Sequence, residues 1–365
     1  MKKIKVDLQK NSYNISIGKG ILARLPDELK KINPTAKTFF LVDSNVNNYH
    51  ANAIKNFSEA TGINYAYYVL KSGETAKNFK QLNLIYHFLL KEGADRKSII
   101  TAVGGGVTGD LAGYAASTFM RGVNLIHIPT TLLAMVDSSI GGKTGINFSH
   151  KKNMVGTFYQ PNEVFADINF LNTLPASEVL SGLGEVLKYA FLLNKNFFEF
   201  VDYNMHKIIS GEEKIIQKVI IECAAIKAAV VSKDEKERGL RKILNLGHTF
   251  AHAFESELNF KIKHGEAVIA GLISAVFLSR RLGFISEERL KHFLHLPGKI
   301  DLQNKIIMHS KQNIYDLMLH DKKNVGGKIK FILPKDIGVM LIDVEAGKRD
   351  VFYALEAASS FITGK

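Results

Sequence analysis

The stretch KSIITAVGGGVTGDLAGYAASTFMRGVNLIHIPTTLLAMVDSSIGGKTGIN, residues 97–147, decides the fold of this chain. It opens with an apolar, β-branched run at 98–103 that ends in three glycines, Gly104-Gly105-Gly106. This pattern predicts a buried strand followed by a tight turn. Leucine and alanine at helical spacing then predict a helix over 107–118, and a second apolar run predicts a strand over 123–128.

The residues before this stretch alternate between strand and helix in the same way. The predicted elements are strands at 5–9, 13–18, 38–42 and 65–70 and helices at 46–60 and 78–91. Alternation of this kind is typical of a doubly wound, Rossmann-like α/β domain built on a parallel sheet.

The residues after about 173 have a different character, because their apolar positions follow a helical period with hardly a strand signal up to 275. The predicted elements are helices at 180–193, 214–232, 249–258, 266–282 and 349–362 and strands at 328–333 and 338–344. We therefore predict the fold class α/β plus mainly α, with an α/β domain at 1–173 and a mainly helical domain at 174–365.

The length of 365 residues favours two domains over one, and the apolar content of 46% is ample for substantial cores. No uninterrupted apolar run is long enough to span a bilayer, and Met1-Lys2-Lys3 does not begin a signal-peptide pattern. The single cysteine, Cys223, cannot form an intrachain disulfide. We expect a cytoplasmic protein that does not bind membranes.

The net charge of +13 and the pI of about 9.5 are compatible with nucleic acid, an anionic surface or an anionic small molecule as partner. The lysines are dispersed, and no nucleic-acid-binding motif is present. Scattered surface lysine accounts for most of the excess charge. We expect an anionic small-molecule substrate and no nucleic-acid partner.

Polar and glycine residues follow three of the predicted strands. The glycines lead into a helix N-terminus, whose backbone N–H groups favour phosphate, although a plain strand-to-helix turn explains them equally well. Thr130-Thr131 follows the strand at 123–128, and ligands of parallel sheets bind at such carboxyl ends. Asp43, after the strand at 38–42, suits either a ribose hydroxyl or a helix N-cap. The spacing is not the dinucleotide fingerprint G-x-G-x-x-G.

Several motifs together resemble the 3-dehydroquinate synthase family of sugar-phosphate cyclases. They are GGGVTGDLAGYAASTFMRG, IPTTLLAMVDSSIGGKTGIN, KNMVGTFYQP, GLGEVLKYA, LNLGHTFAHAFE and HGEAVIAG, between about residues 43 and 323. The resemblance implies conversion of 3-deoxy-D-arabino-heptulosonate 7-phosphate to 3-dehydroquinate and phosphate, a step of the shikimate pathway to aromatic amino acids. NAD+ would oxidise C5 transiently, phosphate would be eliminated, and re-reduction and aldol closure would follow. The resemblance also implies a homodimer.

The resemblance implies a catalytic Zn²⁺ site, with Co²⁺ as a substitute, formed by Glu185, His248 and His264. Their spacing alone would not assemble them, and the single cysteine argues against a structural zinc. His252 lies four residues after His248, so spacing allows it as a metal ligand, whereas the resemblance implies a substrate contact.

The resemblance implies two further sets of residues. The NAD-binding set is Asp43, Glu74, Lys77, Gly105, Gly106, Val107, Asp110, Thr130, Thr131, Leu133, Asp137, Ser138, Lys143, Lys152, Thr173, Leu174 and Glu178. The catalytic and substrate-binding set is Arg121, Lys143, Lys152, Asn153, Lys188, Lys227, Glu237, Arg241, Asn245, His252 and Lys322, with Lys323 as an alternative to Lys322. Guanidinium and ammonium groups suit a doubly anionic sugar acid.

Three other functions remain open. A sister cyclase acting on sedoheptulose 7-phosphate or glucose 6-phosphate would share the NAD and metal sites. A metal-dependent alcohol dehydrogenase with the same two-domain plan would release NADH and would not need the phosphate-binding residues. A basic nucleic-acid-binding protein would explain the charge of +13 but not the Glu, His and His set.

Overall fold

The computed structural model describes residues 1–60, 62–149, 151–259, 261–302, 310–319 and 328–364. Its contacts divide the chain into two compact units. The sheet unit comprises Met1–Pro175 and Glu213–Lys236, and the helical unit comprises Ala176–Glu212 and Glu237–Lys365. The first break lies two residues beyond the predicted boundary at 173, but the segment 213–236, which we predicted to belong to the second domain, groups with the sheet unit.

The elements alternate as predicted in the sheet unit. The strands are β1 (Lys2–Val6), β2 (Tyr13–Gly18), β3 (Thr38–Asp43), β4 (Tyr65–Leu70), β5 (Ile99–Gly104), β6 (Asn124–Pro129), β7 (Lys143–Phe148), β8 (Lys151–Phe158), β9 (Glu163–Asp167), β10 (Lys330–Asp336) and β11 (Val339–Glu345). The helices are α1 (Leu25–Ile32), α2 (Ser44–Ala60), α3 (Phe79–Lys91), α4 (Gly106–Thr118), α5 (Ala176–Leu192), α6 (Lys195–Ile209), α7 (Glu213–Lys233), α8 (His248–Glu257), α9 (His264–Arg281), α10 (Glu287–His295), α11 (Lys311–Leu319) and α12 (Lys348–Thr363).

Seven strands form one sheet in the order β1-β2-β9-β6-β5-β3-β4. Every neighbouring pair in it is parallel except β1 with β2, which is antiparallel. The interior strand β5 is buried throughout, because strands of a parallel sheet are covered by helices on both faces. The predicted doubly wound α/β architecture is therefore confirmed.

The apolar core on one side of this sheet explains the position of α4. Leu111, Ala112, Ala115 and Ala116 of that helix are buried in one cluster with residues of β3 and β5. Small alanines allow a close approach of helix to strand. The glycine turn is thus held between two fully packed elements.

Some elements differ from their predicted positions. The first strand lies at Lys2–Val6 rather than 5–9, because Gln9–Asn11 forms a 3₁₀ turn. The sequence reading missed the β7–β8 hairpin and the sheet strand β9, and it also missed α1, α6, α10 and α11. With five residues, β9 is too short for its apolar run to be told from a helical segment by periodicity.

The helical unit is organised around α9, which is buried over most of its length and packs against α5, α8 and α12. The antiparallel pair β10–β11 completes this unit. Among the described residues, no helix combines the length and the apolar character needed to cross a membrane.

Candidate functional site

Three side chains of the helical unit converge on one point. Glu185 lies on α5, and His248 and His264 are the first residues of α8 and α9. One ligand atom from each lies within 4.8 Å of the others, and Glu185 Oε1 is 3.4 Å from both imidazole Nε2 atoms. Two imidazole nitrogens and one carboxylate oxygen are the donor set of a catalytic zinc site with an open position. These residues therefore fit a divalent metal ion.

The ionisable groups at this point shift one another's pKa values. Burial works against ionisation of Glu185, but Lys188, one turn along α5, and the two imidazoles outweigh it and hold the pKa of Glu185 well below its usual value. Burial lowers the pKa of His248 to about 4. Burial also opposes a charge on His264, but Glu255 and Glu185 outweigh it and raise the pKa of His264 to about 10. A metal ion would compete with the proton on His264.

Glycines beside the three ligands hold the helix backbones in contact. A Cβ atom on Gly265 would lie 1.8 Å from the carbonyl oxygen of Ser181, and one on Gly184 would lie 2.3 Å from the carbonyl oxygen of Gly265. A Cβ atom on Gly271 would lie 2.2 Å from the carbonyl oxygen of Gly247. Each ligand thus directly precedes or follows a glycine that lets α5, α8 and α9 touch.

His252 lies beside the three ligands without belonging to the converging set. Its ring centroid is 5.5 Å from that of His248, one turn earlier on α8. Within the described residues the metal-ligating group is Glu185, His248 and His264. The geometry therefore argues against the ligand alternative for His252, and its contact with substrate stays a prediction.

The glycine turn of the sheet unit joins β5 to α4 as predicted. A Cβ atom on Gly105 would lie 3.1 Å from Thr131 Cγ2, and one on Gly106 would lie 3.0 Å from Ser138 Oγ. Thr130 Oγ1 and Ser138 Oγ are buried and have no hydrogen-bond partner among the described residues. Buried polar atoms of this kind call for a water or a ligand. The turn and its orphan hydroxyls fit a phosphate-bearing ligand at the N-terminus of α4.

Asp43 has hydrogen-bond partners at the end of β3. Its Oδ1 accepts from the Asn45 N–H at 2.8 Å and the Ser72 hydroxyl at 2.7 Å, and its Oδ2 accepts from Thr108 at 3.3 Å. The carboxylate therefore caps the first turn of α2, as the helix N-cap alternative predicted. A ribose hydroxyl at this point would share an acceptor that is already in use.

A second polar cluster surrounds the amine of Lys77, which contacts Asp110 and Asn153. Burial raises the pKa of Asp110 even though Lys77 attracts its charged form. Asn147 connects the cluster to Glu74, because its Nδ2 donates to Glu74 Oε1 at 2.8 Å and its Oδ1 accepts from the Asn153 N–H at 2.9 Å. The structure thus brings four predicted residues together on the loop after β4, on α4 and on the β7–β8 hairpin.

Lys227 of α7 contacts Asp137, although the sequence reading put these residues in different domains. Its amine is 2.8 Å from the backbone oxygen of Asp137 and 2.8 Å from Oδ2 of the same residue. This pair lies within the sheet unit and explains part of why α7 groups with it.

Three predicted substrate residues have an uncommon backbone conformation. Arg121, Asn153 and Glu237 have φ angles of 69°, 54° and 56°. Non-glycine residues adopt positive φ rarely and at an energetic cost. Positive φ also occurs at five described residues outside the predicted sets, so it does not by itself mark the site; they are Gln9, Met120, Ser149, Asn259 and Asp343.

The remaining predicted residues have these positions. In the sheet unit, Val107 is on α4, Lys143 begins β7, Lys152 is on β8, Leu133 and Asp137 lie in or beside the helical turn Ala134–Ser138, and Thr173 and Leu174 follow β9. In the helical unit, Glu178 is on α5 and contacts Lys263. Arg241 and Asn245 are in the 3₁₀ segment Leu240–Asn245, and Asn245 contacts Glu237. Lys322 and Lys323 lie outside the described residues. Glu255, which contacts His264, was not predicted.

The fold combines a doubly wound unit that has a glycine turn before a helix with a helical unit that carries two histidines and a glutamate able to hold a metal ion. This combination defines a class of enzymes with known structures. The fold matches 2-deoxy-scyllo-inosose synthase complexed with carbaglucose-6-phosphate, NAD+ and Co²⁺, at 26% identity and a TM-score of 0.89 over 97% of this chain and 99% of that one. It also matches 2-epi-5-epi-valiolone synthase from Streptomyces hygroscopicus with NAD+ and Zn²⁺, at 24% identity and a TM-score of 0.86 over 97% and 98%. An iron-containing alcohol dehydrogenase from Thermotoga maritima shares the fold at 14% identity, with a TM-score of 0.69 over 95% and 97%.

Sequence comparison narrows this class to one family. The N-terminal model of 3-dehydroquinate synthase matches residues 67–181 and the C-terminal model matches residues 182–324. The 3-dehydroquinate synthase of Alkaliphilus metalliredigens is 42% identical over 93% of this chain and 94% of its own length. That of Dictyoglomus thermophilum is 41% identical over 99% of both. The chain belongs to the 3-dehydroquinate synthase family.

Proposed function

We propose that the chain converts 3-deoxy-D-arabino-heptulosonate 7-phosphate to 3-dehydroquinate and phosphate, as a phosphate-eliminating carbon–oxygen lyase of the shikimate pathway. The observation that carries this proposal is its 42% identity to a 3-dehydroquinate synthase over 93% of the chain. The converging Glu185, His248 and His264 support it, because the reaction needs a Lewis acid at an alcohol oxygen.

Two groups supply the chemistry that side chains cannot. When bound, NAD+ supplies reversible hydride transfer at C5, and Zn²⁺ or Co²⁺ supplies a Lewis acid for the C5 oxygen. Glu185, His248 and His264 would hold the metal, with Glu185 ionised beside Lys188. The glycine turn and the N-terminus of α4 would hold the pyrophosphate of the nucleotide.

Several basic residues would bind and orient the anionic substrate. By the family resemblance these are Arg121, Lys143, Lys152, Lys188 and Arg241, together with Asn153, Asn245 and His252. Arg241 is buried, so little side-chain entropy remains to be lost when it binds an anion. These groups neutralise the phosphate and carboxylate and keep the reacting carbon in place.

Replacing Gly105 by valine is expected to raise the dissociation constant of NAD+ at least about tenfold, equivalent to roughly 1.4 kcal/mol. The reason is that its Cβ would already lie 3.1 Å from Thr131 Cγ2, so two further methyl groups must occupy the space that the ligand needs. Isothermal titration calorimetry measures the change. Gly109→Ala, on the helix that Gly105 precedes, is the control, since its Cβ would lie an ordinary 3.6 Å from the His127 ring. Unchanged NAD+ binding by Gly105→Val would remove the turn from the site.

The proposed reaction makes no net redox change, and this property gives its direct test. Protein loaded with zinc is mixed with the heptulosonate phosphate and a trace of NAD+, and inorganic phosphate and NADH absorbance are recorded. We expect phosphate in large excess over NAD+ with no accumulation of NADH, because the hydride returns to C5 before product leaves.

Each competing function would give a different result in the same assay. One NADH formed per substrate consumed, with phosphate retained, would identify an alcohol dehydrogenase. The 14% identity to the alcohol dehydrogenase from Thermotoga maritima shows a shared fold alone. Phosphate release from sedoheptulose 7-phosphate or glucose 6-phosphate, and none from the heptulosonate phosphate, would identify a sister cyclase.

We also infer a homodimer in the cytoplasm. The dimer rests on the family resemblance, and the location rests on the use of a single, buried cysteine. Light scattering at twice the chain mass of 40.6 kDa would support the dimer, and a mass of one chain would contradict it.

A further inference from the structure

A metal-bound histidine uses one ring nitrogen for the metal and presents the other to a hydrogen-bond acceptor. That acceptor fixes the tautomer and the ring orientation, and a carboxylate in this role also increases the basicity of the ligand. The two histidines of the converging set differ in this respect. His248 Nδ1 lies 3.2 Å from the backbone oxygen of Leu246, a neutral acceptor two residues earlier.

His264 faces a carboxylate on each side. Its Nε2 lies 3.4 Å from Glu185 Oε1, and its Nδ1 lies 3.3 Å from Glu255 Oε1. Glu255 is only 2% exposed and sits near the end of α8, seven residues after His248. One helix therefore supplies a ligand at its first turn and a buried carboxylate for the ligand on the neighbouring helix.

We propose that Glu255 is a positioning residue of the metal centre, whose carboxylate accepts the Nδ1–H of His264 and leaves Nε2 free to bind the metal. This inference rests on the proposed function only in taking Glu185, His248 and His264 as the ligand set. Glu255, His264 and the metal would then lie in series, with His264 bound to the metal and Glu255 bound only to His264.

The charges around the site agree with this role. A buried carboxylate is costly unless a donor or a cation faces it, and His264 supplies the donor to Glu255. Lys188 faces Glu185 and offsets part of its negative charge. The negative charge of Glu255 therefore adds to what remains on Glu185 and balances the two positive charges of the ion. Removing Glu255 would therefore weaken the site both by freeing the His264 ring and by lowering the negative charge near the metal.

A merely structural role for Glu255 makes different predictions. If the carboxylate only stabilised the contact between α8 and α9, its neutral isostere would cost stability and leave the protonation of the metal-bound ring unchanged. Glu257, two residues further on, offers a matched control, because its Oε1 accepts from the Ser310 N–H at 3.2 Å. Glu257→Gln removes one carboxylate charge from the same helix.

The test compares zinc affinity and ring protonation in the whole chain without substrate. Zinc dissociation constants are measured by chelator competition for the wild type and for Glu255→Gln, Glu255→Ala and Glu257→Gln. We expect affinity to fall about 10-fold for Glu255→Gln and up to about 100-fold for Glu255→Ala, and to change less than about twofold for Glu257→Gln. Nitrogen-15 spectra of the zinc form should show Nδ1–H on His264 in the wild type, with faster solvent exchange of that proton in Glu255→Gln.

Two results would overturn the proposal. One is wild-type zinc affinity in both Glu255 variants. The other is an equal loss of affinity in Glu255→Gln and Glu257→Gln, which would make the effect one of helix charge or stability. The isosteric Glu255→Gln keeps the test decisive if Glu255→Ala does not fold. The outcome is separate from the proposed reaction, since a chain that binds zinc in this pattern but releases no phosphate would contradict the reaction alone.

Discussion

Gly265→Ala is expected to abolish stoichiometric metal binding and to lower the free energy of unfolding. The new Cβ would lie 1.8 Å from the Ser181 carbonyl oxygen and 2.5 Å from the carbonyl carbon. These are backbone atoms in the middle of α5, so no side-chain rotation relieves the contact. The two helices must separate, and overpacking of this kind costs roughly 1–3 kcal/mol or more.

The loss of metal follows from the position of the glycine. Gly265 directly follows His264, and the helix that it contacts carries Glu185. Any separation of α5 from α9 therefore adds directly to the 3.4 Å between Glu185 Oε1 and His264 Nε2, whereas metal-ligand distances tolerate only about 0.2 Å.

The measurement is zinc stoichiometry of purified protein together with thermal unfolding. Gly347→Ala is the control in the same unit, because φ at Gly347 is −71° and a Cβ would meet only Asp350 Oδ2 at 3.4 Å. Gly347→Ala should retain one zinc per chain and lower the midpoint far less than Gly265→Ala, because it changes only the N-cap of α12. Full zinc occupancy and an unchanged midpoint in Gly265→Ala would show that the helix contact does not set the ligand geometry.

The sequence predicts the parts of the sheet unit that local chemistry determines. Apolar, β-branched runs gave β3 to β6, with β5 ending in glycine and β6 in proline. The helix after the glycine turn followed from the spacing of Leu111 and the alanines. The β7–β8 hairpin was missed because Gly145 pairs with Gly156, so its strand pattern lacks side chains at a paired position. The membership of α7 in the sheet unit was missed because chain order does not reveal packing.

The metal set shows where local pattern stops being informative. Residues 185, 248 and 264 come from three helices, and only the family resemblance joined them before the structure was known. A weak signal was available for their assembly, since Gly184, Gly265 and Gly271 interrupt helical patterns and such glycines mark close backbone approach. The sequence pattern did not indicate a role for Glu255, because its partner His264 lies at the start of the next helix.

His264→Ala and His252→Ala are expected to separate metal binding from catalysis. His264 supplies Nε2 to the converging set, so its removal should leave two of three protein ligands and bring zinc content below about a tenth of an ion per chain. His252 lies outside that set, so His252→Ala should retain one zinc. Loss of the Lewis acid removes several kcal/mol of transition-state stabilisation. We therefore expect the turnover of His264→Ala to fall about 10³-fold or more.

The measurement is zinc content by mass spectrometry beside phosphate release from the heptulosonate phosphate. His264→Asn accompanies the alanine variant, because its side-chain amide retains an N–H near the position of Nδ1 and spares Glu255 the loss of a donor. Circular dichroism should then match the wild type while zinc stays absent. Stoichiometric zinc and full turnover in both His264 variants would refute the ligand assignment. Zinc loss in His252→Ala equal to that in His264→Ala would instead make His252 a fourth protein ligand and close the position that the substrate oxygen needs.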